Sequence, residues 1–245
     1  MQRLEGKTVI VTGAASGMGE ADARMMARLG AKVVLTDLQV DKGRAVAADI
    51  GSSALFVEHD VSSSEQWKHV IKATVDHFGP MNGLVNNAAL GAGSYWDDLN
   101  EEIFLKFMRI NALSVMLGMT AVVPYMKELG SGSIVNISST AGKVGAENAL
   151  CYTAAKFAVT GMTKAAAIDL GPSGIRVNSV HPGATDTPML AGTMDLVKYL
   201  FPRIPLRRLG RPEEVAGLVT FLISDESTYC TGHEYMVDGG MICQQ

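Results

Sequence analysis

Two residues that can exchange protons, Tyr152 and Lys156, lie four positions apart, and Ser139 lies thirteen positions before the tyrosine. On a helix, residues at i and i+4 share a face, so the phenol and the ammonium would point into one site. A free tyrosine, with a pKa of about 10, is a poor base at neutral pH, but a neighbouring cation stabilises the phenolate. The pair could therefore remove a hydroxyl proton or return it. Alone it is weak evidence, because the spacing also arises by chance.

A glycine-rich turn, Gly13-x-x-x-Gly17-x-Gly19, follows the apolar run 9–11 and precedes a helical pattern that begins near Gly17. In such a strand-turn-helix, glycines let the backbone approach a pyrophosphate, and the helix N-terminus offers free N–H groups. The spacing differs from the commoner G-x-G-x-x-G, and such glycines could merely close a turn.

Asp37 narrows that choice, because it closes the second predicted strand 24 residues after Gly13. A carboxylate at this place can accept hydrogen bonds from the adenosine ribose hydroxyls. A 2′-phosphate would be repelled, and neither Ser16 nor Leu38 supplies a cation to hold it. The sequence predicts NAD rather than NADP.

Further residues follow the third and fourth predicted strands, where ligands bind such sheets. Asp60 and Val61 could bind the adenine edge, and Asn87 and Ala88 lie in the next loop. Asn87 could instead only fasten a turn.

Short apolar, β-branched runs alternate with longer helical patterns, which predicts a parallel sheet between helices. Runs such as Val33-Val34-Leu35 lack polar alternation, as expected for strands buried on both sides. We predict one α/β domain over residues 1–245, a doubly wound Rossmann fold with a seven-stranded parallel sheet and helices on both faces. The predicted strands span residues 7–11, 32–36, 54–59, 84–86, 133–137, 176–180 and 234–237.

One long irregular stretch runs from Pro182 to Arg211. Loops of this length in compact domains are usually functional lids or disordered. The stretch is too apolar for a disordered tail. We predict a substrate lid over residues 188–209, above an apolar pocket.

Composition disfavours several classes of protein. The formal net charge is −4 with both signs spread along the chain, so we expect no nucleic-acid partner. The three cysteines show no C-x-x-C spacing and no histidine has ligand spacing, which predicts no metal site and a reducing, cytoplasmic location. The first residues show no apolar leader, so we expect no secretion signal. The uncharged apolar stretch 110–126 is shorter than a bilayer span of about 20 residues, so we expect no membrane insertion.

Together these motifs resemble the short-chain dehydrogenase/reductase family along essentially the whole chain, and most of all its bacterial NAD-dependent hydroxysteroid and secondary-alcohol dehydrogenases. The sequence departs from the family pattern at Ala89, where glycine is usual. The matching positions are Thr12-Gly13-x-x-x-Gly17-x-Gly19, Asp60, Asn86-Asn87-Ala88, Asn111, Ser138-Ser139, Tyr152-x-x-x-Lys156 and Pro182-Gly183.

The resemblance implies a role for each catalytic residue. Tyr152 would be the general acid/base, and Lys156, with the charge of the oxidised nicotinamide, would lower its pKa and bind the nicotinamide ribose. Ser139 rather than Ser138 would hold the substrate oxygen, because neighbours in a strand point to opposite sides. Asn111 would hold a water that links Lys156 to solvent, although it could simply satisfy backbone groups.

The resemblance also implies the cofactor and substrate contacts. Thr187 would contact the nicotinamide carboxamide, although it could be a helix cap before Pro188. The expected cofactor contacts are Gly13, Ser16, Gly17, Met18, Gly19, Asp37, Leu38, Asp60, Val61, Asn87, Ala88, Tyr152, Lys156, Pro182, Gly183, Thr185 and Thr187; the expected substrate contacts are Ser139, Tyr152, Trp96, Glu147 and Met189.

We therefore predict an NAD(H)-dependent oxidoreductase that interconverts a hydrophobic secondary alcohol and its ketone, of the hydroxysteroid, cyclic or aryl alcohol class. The alternatives are an NAD-binding sensor, and an isomerase or dehydratase that retains NAD. The complete set Ser139, Tyr152 and Lys156 argues against the sensor, and the isomerases usually add a C-terminal domain for which the chain leaves no room. We predict a homotetramer, because the family usually assembles so and because the helix around 110–126 is apolar on more than one face.

Overall fold

The computed structural model describes residues 3–91, 93–190 and 201–243. Its strands form one seven-stranded sheet in the order β3-β2-β1-β4-β5-β6-β7, and every neighbouring pair is parallel. This confirms the predicted doubly wound Rossmann fold. The strands are β1 Thr8–Thr12, β2 Lys32–Asp37, β3 Ala54–Glu58, β4 Gly83–Asn86, β5 Gly132–Ile137, β6 Ile175–Pro182 and β7 Glu234–Val237.

Helices cover both faces of the sheet. Buried residues of α1, α2 and α7 pack in one core, and those of α3, α5 and α6 pack in the other. The helices are α1 Gly17–Arg28, α2 Val40–Ile50, α3 Ser64–Phe78, α4 Glu101–Met108, α5 Ser114–Leu129, α6 Leu150–Leu170 and α7 Pro212–Ile223.

The central strands explain why their sequence lacks polar alternation. In β2, Val33 and Leu35 pack into the first core, whereas Val34 packs into the second, and all three are fully buried. Successive side chains of a strand point to opposite faces, so a strand between two helical layers needs an apolar residue at every position.

Strand β6 is longer than its apolar run predicts. The ladder with β7 continues through His181 and Pro182, two residues beyond the predicted end at 180. Proline is tolerated there because it is the last residue of the strand. The extension places His181 beside the end of β5, which matters for the site.

A π-helical segment, Arg109–Leu113, joins α4 to α5, so helix runs without a break from Glu101 to Leu129. These 29 residues, with a mean hydropathy of 1.4 in the best window, are long and apolar enough to cross a membrane. Length and composition are weak evidence, however, and α5 contributes Val115 and Met119 to a core shared with α3 and α6. The helix is longer than the uncharged stretch in the sequence, because charged residues of α4 extend it.

The predicted lid is described only at its two ends, since residues 191–200 lie outside the described part. Before that gap, the chain turns at Pro188 and Met189. After it, Ile204 is buried, and the Leu206 N–H donates to the Gly239 carbonyl at 3.2 Å. The second end is thereby fastened to the segment that follows β7.

Candidate active site

The predicted site residues gather at one edge of the sheet, because the carboxyl ends of parallel strands meet there. Gly13, Asp37, Asp60, Asn87, Ser139 and Gly183 each end or follow one of the strands β1 to β6.

The glycines of the turn after β1 are required by close packing at Gly13 and Gly19 and by a positive φ at Gly13 and Gly17. Gly13 has φ of +66°, and a Cβ on it would lie 2.8 Å from the Ala88 Cα. A Cβ on Gly19 would collide with the Gly13 carbonyl oxygen. At Gly17, with φ of +61°, a Cβ would lie 3.4 Å from the Thr187 Cβ. The turn therefore lies between the loop after β4 and the start of the predicted lid.

The N-terminus of α1 can accept an anion. Ser16 precedes the helix and makes no side-chain cap, so the first N–H groups, including that of Met18, remain available to a phosphate. This fits the pyrophosphate of a dinucleotide.

Asn87 fastens the turn, as the simpler interpretation proposed. Its Nδ2 donates to the carbonyl oxygens of Thr12 at 2.9 Å and Gly13 at 3.1 Å. The N–H groups of Asn87 and Ala88 in turn donate to the Thr12 hydroxyl at 3.0 and 3.1 Å. Contacts of Asn87 and Ala88 with a cofactor stay predictions.

Asp37 is held by backbone amides. Its Oδ2 accepts from the Ala15 N–H at 3.0 Å, and its Oδ1 accepts from the Gln39 N–H at 2.9 Å. Leu38 beside it is 66% exposed. The carboxylate therefore stands between the glycine-rich turn and the end of β2, where it fits a ribose, and neither of these donors is a cation.

The next strand presents Asp60 in a similar way. Its Oδ1 accepts from the N–H of Ser62 at 2.9 Å and from the hydroxyl of the same residue at 2.8 Å. Val61 is buried, and its carbonyl accepts from the Trp67 indole N–H at 3.0 Å. Both residues are fixed by the start of α3.

The structure brings Tyr152 and Lys156 together on α6. The Lys156 Nζ lies 5.5 Å from the centroid of the tyrosine ring and donates to the Ile137 carbonyl at 2.8 Å. Lys156 is only 2% exposed, and burial lowers its pKa to about 8. The ammonium thus has one backbone acceptor and two further protons for other partners.

Tyr152 is half-buried, and the Ser139 side chain lies near its phenol. Burial raises the pKa of Tyr152 above the usual value, and Ser139 opposes that rise. The spacing to Lys156 predicts the opposite direction, a lowered pKa. The difference arises because burial of the phenolate outweighs the effect of Ser139. The lowering by an oxidised nicotinamide stays a prediction.

The two neighbouring serines after β5 have different surroundings. The Ser138 hydroxyl is buried and donates to the backbone carbonyl of Lys156 in α6 at 3.1 Å. Ser139 is half-buried, lies near Tyr152 and accepts from the Ala141 N–H at 3.1 Å. Of the two, Ser139 is therefore the one beside the phenol.

Asn111 lies in the π-helical segment and is almost fully buried. Its Oδ1 accepts from the Leu90 N–H at 2.7 Å, and its Nδ2 donates to the Leu90 carbonyl at 3.1 Å. The side chain thus satisfies backbone groups, in a loop rather than in its own helix. Single π-helical turns often occur at functional sites.

Residues 183–187, which follow β6, lead the chain toward the N-terminus of α1. The Gly183 N–H donates to the Val237 carbonyl at 2.9 Å, and Thr185 bridges to Gly210. The Thr187 hydroxyl donates to the Thr185 carbonyl at 3.4 Å. Pro182 itself still belongs to β6.

The expected substrate residues lie on loops that pair with one another. The Ser94 N–H donates to the Asn148 carbonyl at 2.8 Å, which joins the loops that carry Trp96 and Glu147. Trp96 is 74% exposed, and Glu147 is exposed. Met189 lies against Gly91, where a Cβ would meet its Cγ at 3.0 Å. Contacts with a substrate remain predictions.

Sequence reasoning assigned no chemistry to His181, yet its Nδ1 lies 2.8 Å from the Ser139 carbonyl oxygen. A prediction that β6 extends to His181 would have indicated this contact, but the apolar run on which the prediction rests ends at residue 180. Among the residues described, no group of histidine, cysteine, aspartate or glutamate could hold a metal ion.

Comparisons with known proteins show which family the chain belongs to. A family model described as enoyl-(acyl carrier protein) reductase matches residues 13–242. The chain is 46% identical over 241 residues to a 3-alpha-(or 20-beta)-hydroxysteroid dehydrogenase of Mycobacterium bovis, covering 98% of this chain and 91% of the relative. It is 44% identical to a trans-4-hydroxycyclohexanecarboxylate dehydrogenase of Sinomonas cyclohexanicum, covering 97% and 93%. It is 39% identical to a cyclopentanol dehydrogenase of Comamonas testosteroni, covering 98% of each.

A solved structure gives the same answer for the fold. The short-chain type dehydrogenase/reductase from Mycobacterium marinum superposes with a TM-score of 0.94, at 33% identity, over 98% of this chain and 97% of the other. The relatives named here are dehydrogenases, which gives no support to the sensor or the isomerase. The chain belongs to the short-chain dehydrogenase/reductase family and is an oxidoreductase that acts on CH–OH donors with a nicotinamide cofactor.

Proposed function

We propose that the chain interconverts a hydrophobic cyclic secondary alcohol, or a hydroxysteroid, and its ketone with NAD as cofactor. The observation that carries this proposal is the cluster of Ser139, Tyr152 and Lys156 at the sheet edge where Asp37 fits a ribose. Relatives that act on a hydroxysteroid, a hydroxycyclohexanecarboxylate and cyclopentanol support the substrate class by their names.

The residues divide the work of the reaction. When bound, the nicotinamide supplies the hydride acceptor for oxidation and the donor for reduction. Tyr152 takes the hydroxyl proton of the alcohol in one direction and returns a proton to the ketone oxygen in the other. Ser139, which lies near the phenol, donates to the same substrate oxygen and stabilises its developing charge.

Lys156 serves both the phenol and the cofactor. Its buried ammonium stabilises the Tyr152 phenolate, because an opposite charge in a poorly solvated site acts strongly. With one proton on the Ile137 carbonyl, it keeps donors for the nicotinamide ribose. Asn111 uses one donor and one acceptor site of its side chain on Leu90, so a water for proton exchange would bind the remaining side-chain sites or the backbone carbonyl.

Asp37 carries the choice of NAD over NADP. Its two oxygens are oriented by backbone N–H groups, which leaves the carboxylate to accept ribose hydroxyls. A 2′-phosphate at the same place would meet a like charge beside the apolar Leu38.

The direct test is steady-state turnover of the wild type with a panel of secondary alcohols and both cofactors. We expect reduction of NAD by cyclopentanol, a substituted cyclohexanol or a hydroxysteroid, with a kcat/KM at least about tenfold higher than for NADP, equivalent to about 1.4 kcal/mol. Linear primary alcohols are the control and should react poorly. Failure of every secondary alcohol with either cofactor would reject the proposal.

We also propose a cytoplasmic homotetramer. Leu150, Phe157 and Ile168 are exposed on α6 at spacings of seven and eleven residues, which places them on one face of the helix. Leu113, at the end of the π-helical segment, and Met116, near the start of α5, are also exposed. Such apolar faces favour closed two-fold interfaces between subunits.

Light scattering tests the assembly. We expect a mass about four times that of the 26.0 kDa chain, and smaller species for Phe157→Glu, because the interface would have to bury a charge. An exposed lysine of α5, changed in Lys127→Glu, is the control. A wild type that is active as a monomer would contradict this part of the proposal.

A further inference from the structure

A buried imidazole lies directly behind Ser139. His181 is the second-last residue of β6 and is fully buried. Its Nδ1 lies 2.8 Å from the backbone oxygen of Ser139, and its Nε2 lies 2.8 Å from the Ser179 hydroxyl. Both ring nitrogens therefore have a partner.

These partners select one tautomer of His181. A carbonyl oxygen only accepts, so Nδ1 must carry the hydrogen and Nε2 must accept from Ser179. Burial lowers the pKa of His181, while its bond to Ser139 and the charge of Glu234 oppose that effect. Burial therefore favours the neutral form of the His181 ring.

The Ser139 carbonyl lies just beyond the ladder of β5 and β6. The last ladder bond runs from the Ser138 N–H to the Val180 carbonyl at 2.8 Å. Among its described partners, the Ser139 carbonyl accepts from the Gly142 N–H at 2.9 Å and from His181 at 2.8 Å. The imidazole is therefore the side chain that ties this carbonyl to β6.

Charged groups surround the far side of the ring. Glu234 on β7 lies 4.0 Å from the Nε2, and Lys143 and Lys164 each bind that carboxylate at 2.6 Å. Lys143 and the catalytic Lys156 both lower the pKa of His181. The acidic charge nearest to the ring is therefore balanced by two lysines.

We infer that His181 is a positioning residue, which holds the Ser139 carbonyl so that the serine hydroxyl faces Tyr152 and the substrate oxygen. The inference rests on the proposed function, in which Ser139 stabilises that oxygen. His181 contacts no reacting atom itself, so its effect must pass through Ser139.

The test compares two replacements of the imidazole. His181→Phe keeps a ring but removes the donor, and His181→Asn keeps an N–H near the place of Nδ1. We expect His181→Phe to lower kcat at least about tenfold with the KM for NAD changed less than about twofold, because misplacing a positioned group reduces transition-state stabilisation. His181→Asn should recover most of the loss. Val180→Ala is the control, since Val180 is buried in the opposite core of the same strand.

A double-mutant cycle with Ser139→Ala separates positioning from a structural role. If His181 acts through Ser139, His181→Phe should cost less than about twofold in the Ser139→Ala background, because the group that it positions is gone. Equal losses in both backgrounds would overturn the inference. So would a loss in Val180→Ala as large as that in His181→Phe at matched melting temperature, or no rescue by His181→Asn.

A second readout does not depend on turnover. The phenol of Tyr152 can be titrated by ultraviolet absorbance, as the difference between each variant and its Tyr152→Phe counterpart. His181→Phe should raise the pKa of Tyr152 toward its value in Ser139→Ala, and an unchanged titration would overturn the inference. If the wild type turns over no alcohol, the proposed function fails and this titration still decides the role of His181. If Ser139→Ala is inactive and His181→Phe is fully active, only the present inference fails.

Discussion

The two halves of the sheet edge hold their functional groups in different ways. At the ends of β1, β2 and β4, the functional side chains are held by hydrogen bonds to the backbone. Asp37 accepts from two amides, and Asn87 donates to two carbonyls. At the ends of β5 and β6, buried side chains from separate elements meet, and Tyr152, Lys156 and His181 all have shifted pKa values. The first half is therefore suited to binding the cofactor, whereas the second half is suited to transferring a proton.

This difference predicts how each half responds to mutation. A change in the first half should alter which cofactor binds while leaving the rate of the bound complex intact. A change in the second half should alter the rate while leaving cofactor choice intact. Lys156 is the exception, because it contacts the phenol and is expected to contact the ribose.

Lys156→Met should therefore have the largest effect. We expect kcat for alcohol oxidation to fall at least about a hundredfold, the scale of general acid–base catalysis, together with weaker NADH binding. The activity profile should move to higher pH, because the phenolate loses its neighbouring cation and the pKa of Tyr152 rises further. Lys127→Met on α5 is the control. An unchanged pH profile would show that the ammonium does not act on the phenol.

The pair Asp37→Ser and Leu38→Arg should change only the first half. Removing the like charge and adding a phosphate partner should shift the NADP to NAD ratio of kcat/KM by at least about tenfold toward NADP, equivalent to about 1.4 kcal/mol. kcat with a saturating cofactor should stay within about twofold. Asp41→Ser, at an exposed acidic residue in α2, is the control. A wild type that already prefers NADP would disprove the charge argument.

Asp22 tests whether a buried ionisable group without a hydrogen-bond partner differs from Lys156, which has one. Asp22 is fully buried on α1, neither carboxylate oxygen has a hydrogen-bond partner, and burial raises its pKa well above the usual value. The unfolded chain releases this proton first, so folding becomes less favourable as pH rises from the unfolded pKa to the folded one. The substituted side chain has no proton to release, so this loss should be absent in Asp22→Asn. Within that window, we expect the free energy of unfolding of Asp22→Asn to rise relative to that of the wild type by about 1.4 kcal/mol per pH unit. Parallel melting curves of the two proteins against pH would contradict this.

Ala89→Gly should have the smallest effect. Ala89 lies between Asn87, which is tied to the turn, and Leu90, which is tied to Asn111, so the loop is already held on both sides. We expect the KM for NAD to change less than about twofold, and stability to fall by about 0.4–1 kcal/mol because glycine adds freedom to the unfolded chain. A large change in KM would show that the methyl group shapes the cofactor site.

The fold could be predicted from the sequence because its signals are local. The uniform apolar runs of the strands, the glycines with positive φ and the acidic end of β2 each depend on a few neighbouring residues. Helix α7 begins with a local signal of the same kind, Pro212 at its first position.

The catalytic half was less accessible because its contacts join residues far apart in the chain. Tyr152 and His181 both lie beside Ser139. This placement depends on the register of β5 and β6 and on the position of α6. Burial raises the pKa of Tyr152 in the protein alone, and the sequence does not show this, since spacing reveals the neighbouring lysine but not how much water the fold removes. The side-chain partners of Asn111 depend on the loop at Leu90 in the same way.

Tyr152→Phe tests the central claim most directly, because it removes the proton acceptor and keeps the ring. Turnover of a secondary alcohol and NADH affinity, from a fluorescence titration, should be measured on the same preparation of this variant and of the wild type. We predict that turnover falls by about a hundredfold or more, while the NADH dissociation constant stays within about twofold. Substantial turnover in this variant would contradict the assignment of Tyr152, and lost NADH binding would contradict the separation of the two halves.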